Sequence, residues 1–307
     1  MQTLLLVDGN ALMHRAYHAL PPFKTKSGIP TNAVYGFFAM LHKAIMDFNP
    51  QYIAVCFDTP KPTFRKKLLK TYQIQRPKMD DELGIQFPMM MELLKKAGIF
   101  TEEMPGFEAD DVIGSITHEV HGKNVKVMIL TGDKDIMQLI NDHVYTVNPQ
   151  IGFSKTKIYD KKEVREKFGI EPEQIADFKA LMGDASDNYP GAKGIGPKTA
   201  ANLVRQFGSV ENLIKNIDQI ENPKVREIIK KEEKNILLSK KLATIITDAK
   251  IKFRLNDARF DGFKQDLKEA LLQLEMYSLT NRFFKSEKKT EPKKRKTEDD
   301  SNQIGLF

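Results

Sequence analysis

The sequence predicts an α/β fold built on a mainly parallel sheet. Three observations carry the prediction. Apolar, β-branched runs of strand length recur at residues 3–8, 52–58 and 125–131. Segments with helical spacing separate them. Each run ends in an aspartate or is followed closely by one (Asp8, Asp58, Asp133), as expected where buried parallel strands reach the edge of a sheet.

Taken in order, residues 3–8 (TLLLVD) read as the first strand. Residues 33–47 have helical spacing, with Val34, Phe37, Phe38, Leu41 and Ile45 on one side. Residues 52–58 (YIAVCFD) form a second strand, and 86–97 (QFPMMMELLKKA) a helix closed by Gly98, the usual residue for a left-handed helix end. A helix over 110–120 carries acids in its first turn, where the helix dipole favours them. Residues 125–131 form a third strand, with a helix expected at 135–140. After about residue 160 the texture becomes helical: 161–168, 172–182, 197–207, 210–215 and a longer stretch at 225–241. The organisation expected is an α/β region at 1–165, a helical region at 166–284 and a charged tail at 285–307. That tail is rich in Lys, Glu and Thr and is too poor in apolar residues to order itself.

At 307 residues with 41% hydrophobic residues the chain can bury a substantial core. The net charge of +7 is a mild excess. It gains meaning because nine acids are concentrated in short clusters, which leaves the remaining surface clearly basic, as in a binder of phosphate backbones. A single cysteine, Cys56, excludes a disulfide framework and fits a reducing, cytoplasmic setting. No Cys/His spacing points to zinc. No signal peptide and no membrane span is expected.

The acids carry the chemistry. Asp8 ends LLLVD, Asp58 ends YIAVCFD, and Glu108, Asp110 and Asp111 lie in FEADDVIG; Asp133 and Asp135 lie in TGDKD, and Asp184 and Asp187 in GDASDN. Gathered at one sheet edge, such carboxylates would repel one another unless a cation lay between them. A pair of hard divalent metals is the simplest such cation, and phosphodiester cleavage its simplest task. Two further segments suit a nucleic acid. GAKGIGPKTA (191–200) has Gly194 and Gly196 for a tight turn, then Pro197, Lys198 and Thr199 opening a helix whose N-terminal N–H groups can meet a phosphate. PKPTFRKKLLKTYQIQRPK (60–78) has seven basic residues, no acid, and Phe64 and Tyr72 among them, a pattern that suits a single strand with stackable bases.

LLLVDGNALMHRAYHALPP, FDTPKPTFRKKLLKTYQIQRP, GFEADDVIG, LTGDKDIMQL and GDASDNYPGAKGIGPKTA, in this order, resemble the five-prime nuclease family. They resemble most the N-terminal 5′–3′ exonuclease domain of bacterial DNA polymerase I, here expected as a stand-alone chain. The resemblance runs from residue 2 to about 280. It implies a PIN-like nuclease core, a helical arch at about 60–100, a helix-hairpin-helix region, and action on DNA carrying a 5′ end or flap in replication or repair. It also implies two Mg²⁺ or Mn²⁺ ions. Asp8, Asp58, Glu108, Asp110 and Asp111 resemble the ligand set of the first ion, and Asp133, Asp135, Asp184 and Asp187 that of the second. Arg15, Arg65 and Arg76 match positions near the scissile phosphate, and Tyr72 one that guides the strand. Gly194, Gly196, Lys198 and Thr199 match a hairpin on the duplex backbone, which in relatives also holds K⁺. One position departs: where relatives carry Tyr-Lys, this chain has Tyr72-Gln73, removing a positive charge beside the phosphate. The chain ends in QIGLF, in which Gln303, Leu306 and Phe307 resemble the peptide that holds a sliding clamp. Two other functions compete with a DNA nuclease: a flap- or junction-binding module with weak catalysis, favoured by Gln73, and a PIN-like ribonuclease, disfavoured by the hairpin.

Overall fold

The computed structural model describes residues 1–150 and 156–284. The chain opens with strand β1 (Gln2–Asp8) and runs through helices α1 (Gly9–Ala19) and α2 (Asn32–Phe48), strand β2 (Tyr52–Phe57), the short helix α3 (Phe64–Leu68) and α4 (Asp81–Ala97). Next come β3 (Phe100–Glu103), α5 (Ala109–Glu119), β4 (Val125–Leu130), a 3₁₀ turn (Asp135–Leu139), β5 (Val144–Pro149) and β6 (Thr156–Tyr159). Helices α6 (Lys161–Phe168), α7 (Ile175–Met182), α8 (Pro197–Phe207), α9 (Val210–Lys215), α10 (Pro223–Ala243), α11 (Gln265–Gln273) and α12 (Tyr277–Phe284) complete it.

The fold is α/β with a six-stranded, mostly parallel sheet in the order β3-β2-β1-β4-β5-β6. Only β6 runs antiparallel, against β5. Leu4, Leu5, Leu6 and Val7 of β1 have no exposed surface, and all six residues of β2 are buried. Burial on both faces is why these strands read as unbroken apolar runs. On one face Leu5, Val7, Ile53, Val55 and Leu130 pack with α1, α2 and α4. On the other, Leu4, Leu6, Ala54, Cys56 and Ile129 pack with Val112, Ile113 and Ile116 of α5. The chain leaves β1 toward β2 on one side and reaches β4 on the other, so β1 and β4 border a crevice at the carboxyl ends of the strands, where open α/β sheets place their ligands.

The helices α6 to α10 enclose a separate core around Val164, Leu181, Val204, Leu213 and Ile236. The last helices do not join them. Leu267, Leu271 and Leu279 of α11 and α12 are buried with Phe37, Leu41 and Leu94 on the sheet. Ile245, Phe253 and Ala258 lie on the opposite sheet face. The chain after residue 244 therefore wraps back around the sheet, and the helical region expected at 166–284 is divided at that point.

Helix α1, absent from the sequence reading, follows β1 with no loop, because Asp8 ends the strand and caps the helix, accepting from Ala11 N at 2.9 Å. Two elements differ from their sequence reading. Helix α4 starts at Asp81 rather than 86. Asp80 caps it, accepting from Glu82 N at 2.9 Å, and Pro88 lies well inside rather than in the first turn. The helix expected at 135–140 is the five-residue 3₁₀ turn.

Candidate active site

The carboxyl ends of β1, β2 and β4 line a cavity of about 580 Å³. Its walls carry Asp8, Asp58, Glu108, Asp110, Asp133, Asp135 and Asp187, with Arg65, Arg76, Lys61, Lys66, Tyr72 and Gln73 above them. Asp8 is 4% exposed; its second oxygen accepts from Thr131 Oγ1 at 2.8 Å. Asp58 accepts from Ala109 N at 2.7 Å, which sets the start of α5 against the end of β2. Asp133 accepts from Asp135 N at 2.8 Å. Burial pushes Asp110 well above the usual carboxylate range, and the nearby charges of Asp133, Asp8, Asp135 and Asp58 add to it. Desolvation by the cavity walls likewise raises half-buried Glu108 and also Asp58, although Asp58 is exposed.

The helical side supplies the rest. The loop between α7 and α8 pinches shut where Gly183 and Gly191 cross, both at positive φ. A Cβ on Gly191 would lie 2.1 Å from Gly183 N, so no side chain fits there. The closed loop aims Asp184 and Asp187 at the sheet. One oxygen each of Asp135, Asp184 and Asp187 lie within 4.8 Å of one another. Asp187 accepts from Arg76 Nη2 at 2.7 Å, from Gln73 Nε2 at 3.2 Å and from Tyr72 Oη at 3.2 Å. The turn after α3 is thus latched to this loop, with Gln73 N–H donating to Asp187 O at 2.9 Å.

Four expected site residues play different parts. Asp111 is expected among the first metal's ligands, but its oxygens accept from Arg65 Nη1 at 2.6 Å and Nη2 at 2.9 Å, Glu108 N at 3.0 Å and Ile246 N at 2.9 Å. A carboxylate has about four lone-pair sites, so none is left for a metal. Arg65 is expected at the phosphate, but it is 3% exposed, and Nε and Nη2 also donate to Leu242 O and Thr244 O at 2.8 Å each. It clamps α3 to α5 and to the segment after α10. Tyr72 is expected to meet DNA, but it is 3% exposed and packs with Ala176, Tyr189 and Leu242; its single hydroxyl proton is shared between Asp187 and Glu108, whose Oε2 lies 3.3 Å away. Arg15 Nη2 donates to Pro149 O and does not line the cavity. Gly194 has φ 102°, Gly196 precedes α8 as its cap, Lys198 is exposed and Thr199 half-buried. Gln303, Leu306 and Phe307 lie outside the described residues.

Sequence reasoning missed other members. Asn10 Oδ1 accepts from Asp58 N at 2.9 Å. Gln138 grips the segment after α10, donating to Ala243 O at 3.0 Å and accepting from Ile245 N at 3.0 Å. Lys179 of α7 contacts both Asp135 and Asp184, the latter at 2.5 Å. Its place five residues before Asp184 in FKALMGD was the available signal.

The donor set fits hard divalent cations, since every candidate ligand is a carboxylate oxygen. Asp135 Oδ1 is buried and accepts no hydrogen bond of good geometry, its contact with Lys179 being that of an ion pair. The electrostatics give a testable pH dependence. Asp8 and Asp135 are each pushed from 3.8 up to about 7, first by burial and then by acidic neighbours, among them Asp133. An acid with a raised folded pKa favours folding below its unfolded value, and that stability is lost as pH rises through the folded value. Each tenfold change in proton affinity corresponds to about 1.4 kcal/mol. The metal-free protein should therefore lose stability on the order of several kcal/mol between about pH 4 and 7. Thermal unfolding with and without Mg²⁺ checks this: the ion should raise Tm strongly at pH 8 and little at pH 5. An equal rise in Tm at both would contradict it.

The fold matches that of a known class of nuclease. A bacteriophage T5 flap endonuclease, solved with DNA and metal ions, superposes with a TM-score of 0.65 at 21% identity, over 92% of this chain and 96% of that one. Family models described as the 5′-3′ exonuclease N-terminal resolvase-like domain and its C-terminal SAM fold match residues 3–169 and 170–266. A 5′-3′ exonuclease of Aquifex aeolicus is 42% identical over 91% of this chain and 94% of its own length. DNA polymerase I of Bacillus caldotenax is 41% identical over 88% of this chain, which spans only 31% of that protein. The chain belongs to the 5′-3′ exonuclease family.

Proposed function

We propose that the chain hydrolyses DNA phosphodiesters as a 5′–3′ exonuclease and structure-specific 5′-flap endonuclease, in primer processing or repair. The observation that carries this reading is the convergence of seven carboxylates in one cavity beneath a basic arch. Asp8, Asp58, Glu108 and Asp110 would hold one Mg²⁺ or Mn²⁺, and Asp133, Asp135, Asp184 and Asp187 the other. Such ions supply Lewis-acid polarisation of the phosphate and activation of water. Arg76, at the cavity mouth and half-exposed, is the guanidinium positioned to trade its carboxylate for a phosphate. Lys61 and Lys66 draw the 5′ strand toward the arch. Arg65 and Asp111 hold the arch base, and Tyr72 closes the seam between the arch and the loop after α7. Residues 194–199 meet the duplex backbone: Gly196 caps α8 with no side-chain hydrogen bond, which leaves N–H groups for a phosphate. The family resemblance adds K⁺ there. A place in the nucleoid goes with this substrate. The α/β region with its arch (1–165) would carry the chemistry and the helices between 166 and 244 the duplex contacts.

Cleavage of a labelled 5′-flap duplex, dependent on Mg²⁺ and releasing 5′-phosphate products, tests the reading; tight flap binding without cleavage would favour the binding module instead. Gln73 is expected to limit the rate. Gln73→Lys should cleave about tenfold faster, by adding a cation beside the phosphate, and a rate at or below wild type would dismiss that expectation. QIGLF would seat Leu306 and Phe307 in an apolar pocket of a sliding clamp. Deleting residues 303–307 should abolish clamp binding in a surface-plasmon assay, and undiminished binding would reject the peptide.

A further inference from the structure

Lys179 is a lysine of α7 whose side chain is only 20% exposed. Its ammonium sits between Asp135 and Asp184, whose side chains are 14% and 13% exposed. These are two of the three acids whose oxygens lie within 4.8 Å of one another. The third, Asp187, is held from the far side by Arg76. The other well-covered lysine of this region serves a different purpose. Lys240 meets Asp177 at 2.6 Å and ties α10 to α7, and Asp177 also accepts from Val210 N, so that pair belongs to the scaffold. Lys179 holds no such scaffold acid.

We infer that Lys179 is a tethered counter-ion of the second acidic group: it neutralises Asp135 and Asp184 in the metal-free protein and sets how tightly a divalent ion is held there. The inference rests on the metal assignment proposed above. Its physical basis is competition. A divalent ion at Asp135, Asp184 and Asp187 meets the like charge of the ammonium at close range. The flexible four-carbon stem lets the ammonium withdraw, so only part of that repulsion survives once metal is bound. The ammonium also relieves repulsion among the acids when no metal is present, which keeps the loop after α7 closed on the sheet. The result is a second site that stays assembled without metal and binds it more weakly for that reason. Lys179 is thus a positioning residue.

The test is calorimetric titration of chelator-treated protein with MnCl₂, beside thermal unfolding of the metal-free form. Lys179→Met should bind the ion of this group about tenfold tighter and melt at a lower temperature without metal. Lys179→Gln, which keeps a donor but no charge, should follow it, and Lys179→Arg should restore wild-type affinity. Lys240→Met should lower the melting temperature while leaving Mn²⁺ affinity unchanged, separating lost scaffold from lost competition. Unchanged or weaker Mn²⁺ binding in both Lys179→Met and Lys179→Gln would overturn the inference alone. If Asp135→Asn left the full complement of ions bound at wild-type affinity, the metal assignment itself would fall, and this inference with it.

Discussion

Asp110→Asn is expected to lower the cleavage rate by at least about a thousandfold while making the metal-free protein more stable. The two effects share one cause. Asp110 is half-buried in the cavity wall, and its charge is opposed by Asp133, Asp8, Asp135 and Asp58. Removing that charge relieves repulsion, a gain on the order of 1–3 kcal/mol at pH 8. The same charge is what would hold a divalent ion at the centre of the cavity, and about 4 kcal/mol of lost transition-state stabilisation corresponds to a thousandfold in rate. Single-turnover cleavage of a flap duplex and denaturant unfolding of chelator-treated protein give the two numbers. Loss of stability together with loss of activity would mean that Asp110 is a structural residue.

Arg65→Met should destabilise the protein by about 3–5 kcal/mol, the range for removing one partner of a buried ion pair. Arg65 is 3% exposed and Asp111 fully buried. The change leaves an uncompensated carboxylate inside the protein, and two carbonyls, of Leu242 and Thr244, without their donors. Apolar replacement of both partners removes the stranded charge, so Arg65→Met with Asp111→Leu should be more stable than Arg65→Met alone. Equilibrium denaturation of the four proteins measures the coupling. Additive losses would show that the pair does not act as a unit. If Arg65 served a phosphate instead, its replacement would cost rate and leave stability nearly untouched.

The sheet and the strand-end acids were legible because both follow from local pattern. Runs such as LLLVD and YIAVCFD are buried on both faces, and an aspartate at their ends has few places to go except the sheet edge. What was not legible depended on direction. Asp110 and Asp111 are adjacent, yet one faces the cavity and the other faces Arg65, because successive helix residues point about 100° apart. The spacing of Glu108 and Asp111 already resembled a capping box, which the structure contains, and would have assigned Asp111 to the backbone. Tyr72 looked like a stacking residue because basic neighbours surround it; burial depends on the loop 183–191, over a hundred residues away. The return of α11 and α12 to the sheet was hidden for a similar reason, since an amphipathic helix shows that it packs but not against what.

The stretch 242–246 gives the enzyme a timetable. Arg65, Gln138 and Asp111 all bond to backbone groups in it. A ribosome-bound chain that has not yet emerged to that length has every strand and all nine clustered acids, but no strap to fasten the arch base to the floor beneath it. The wall beside the clustered acids therefore closes late in synthesis, only once residues 242–246 are free to bond.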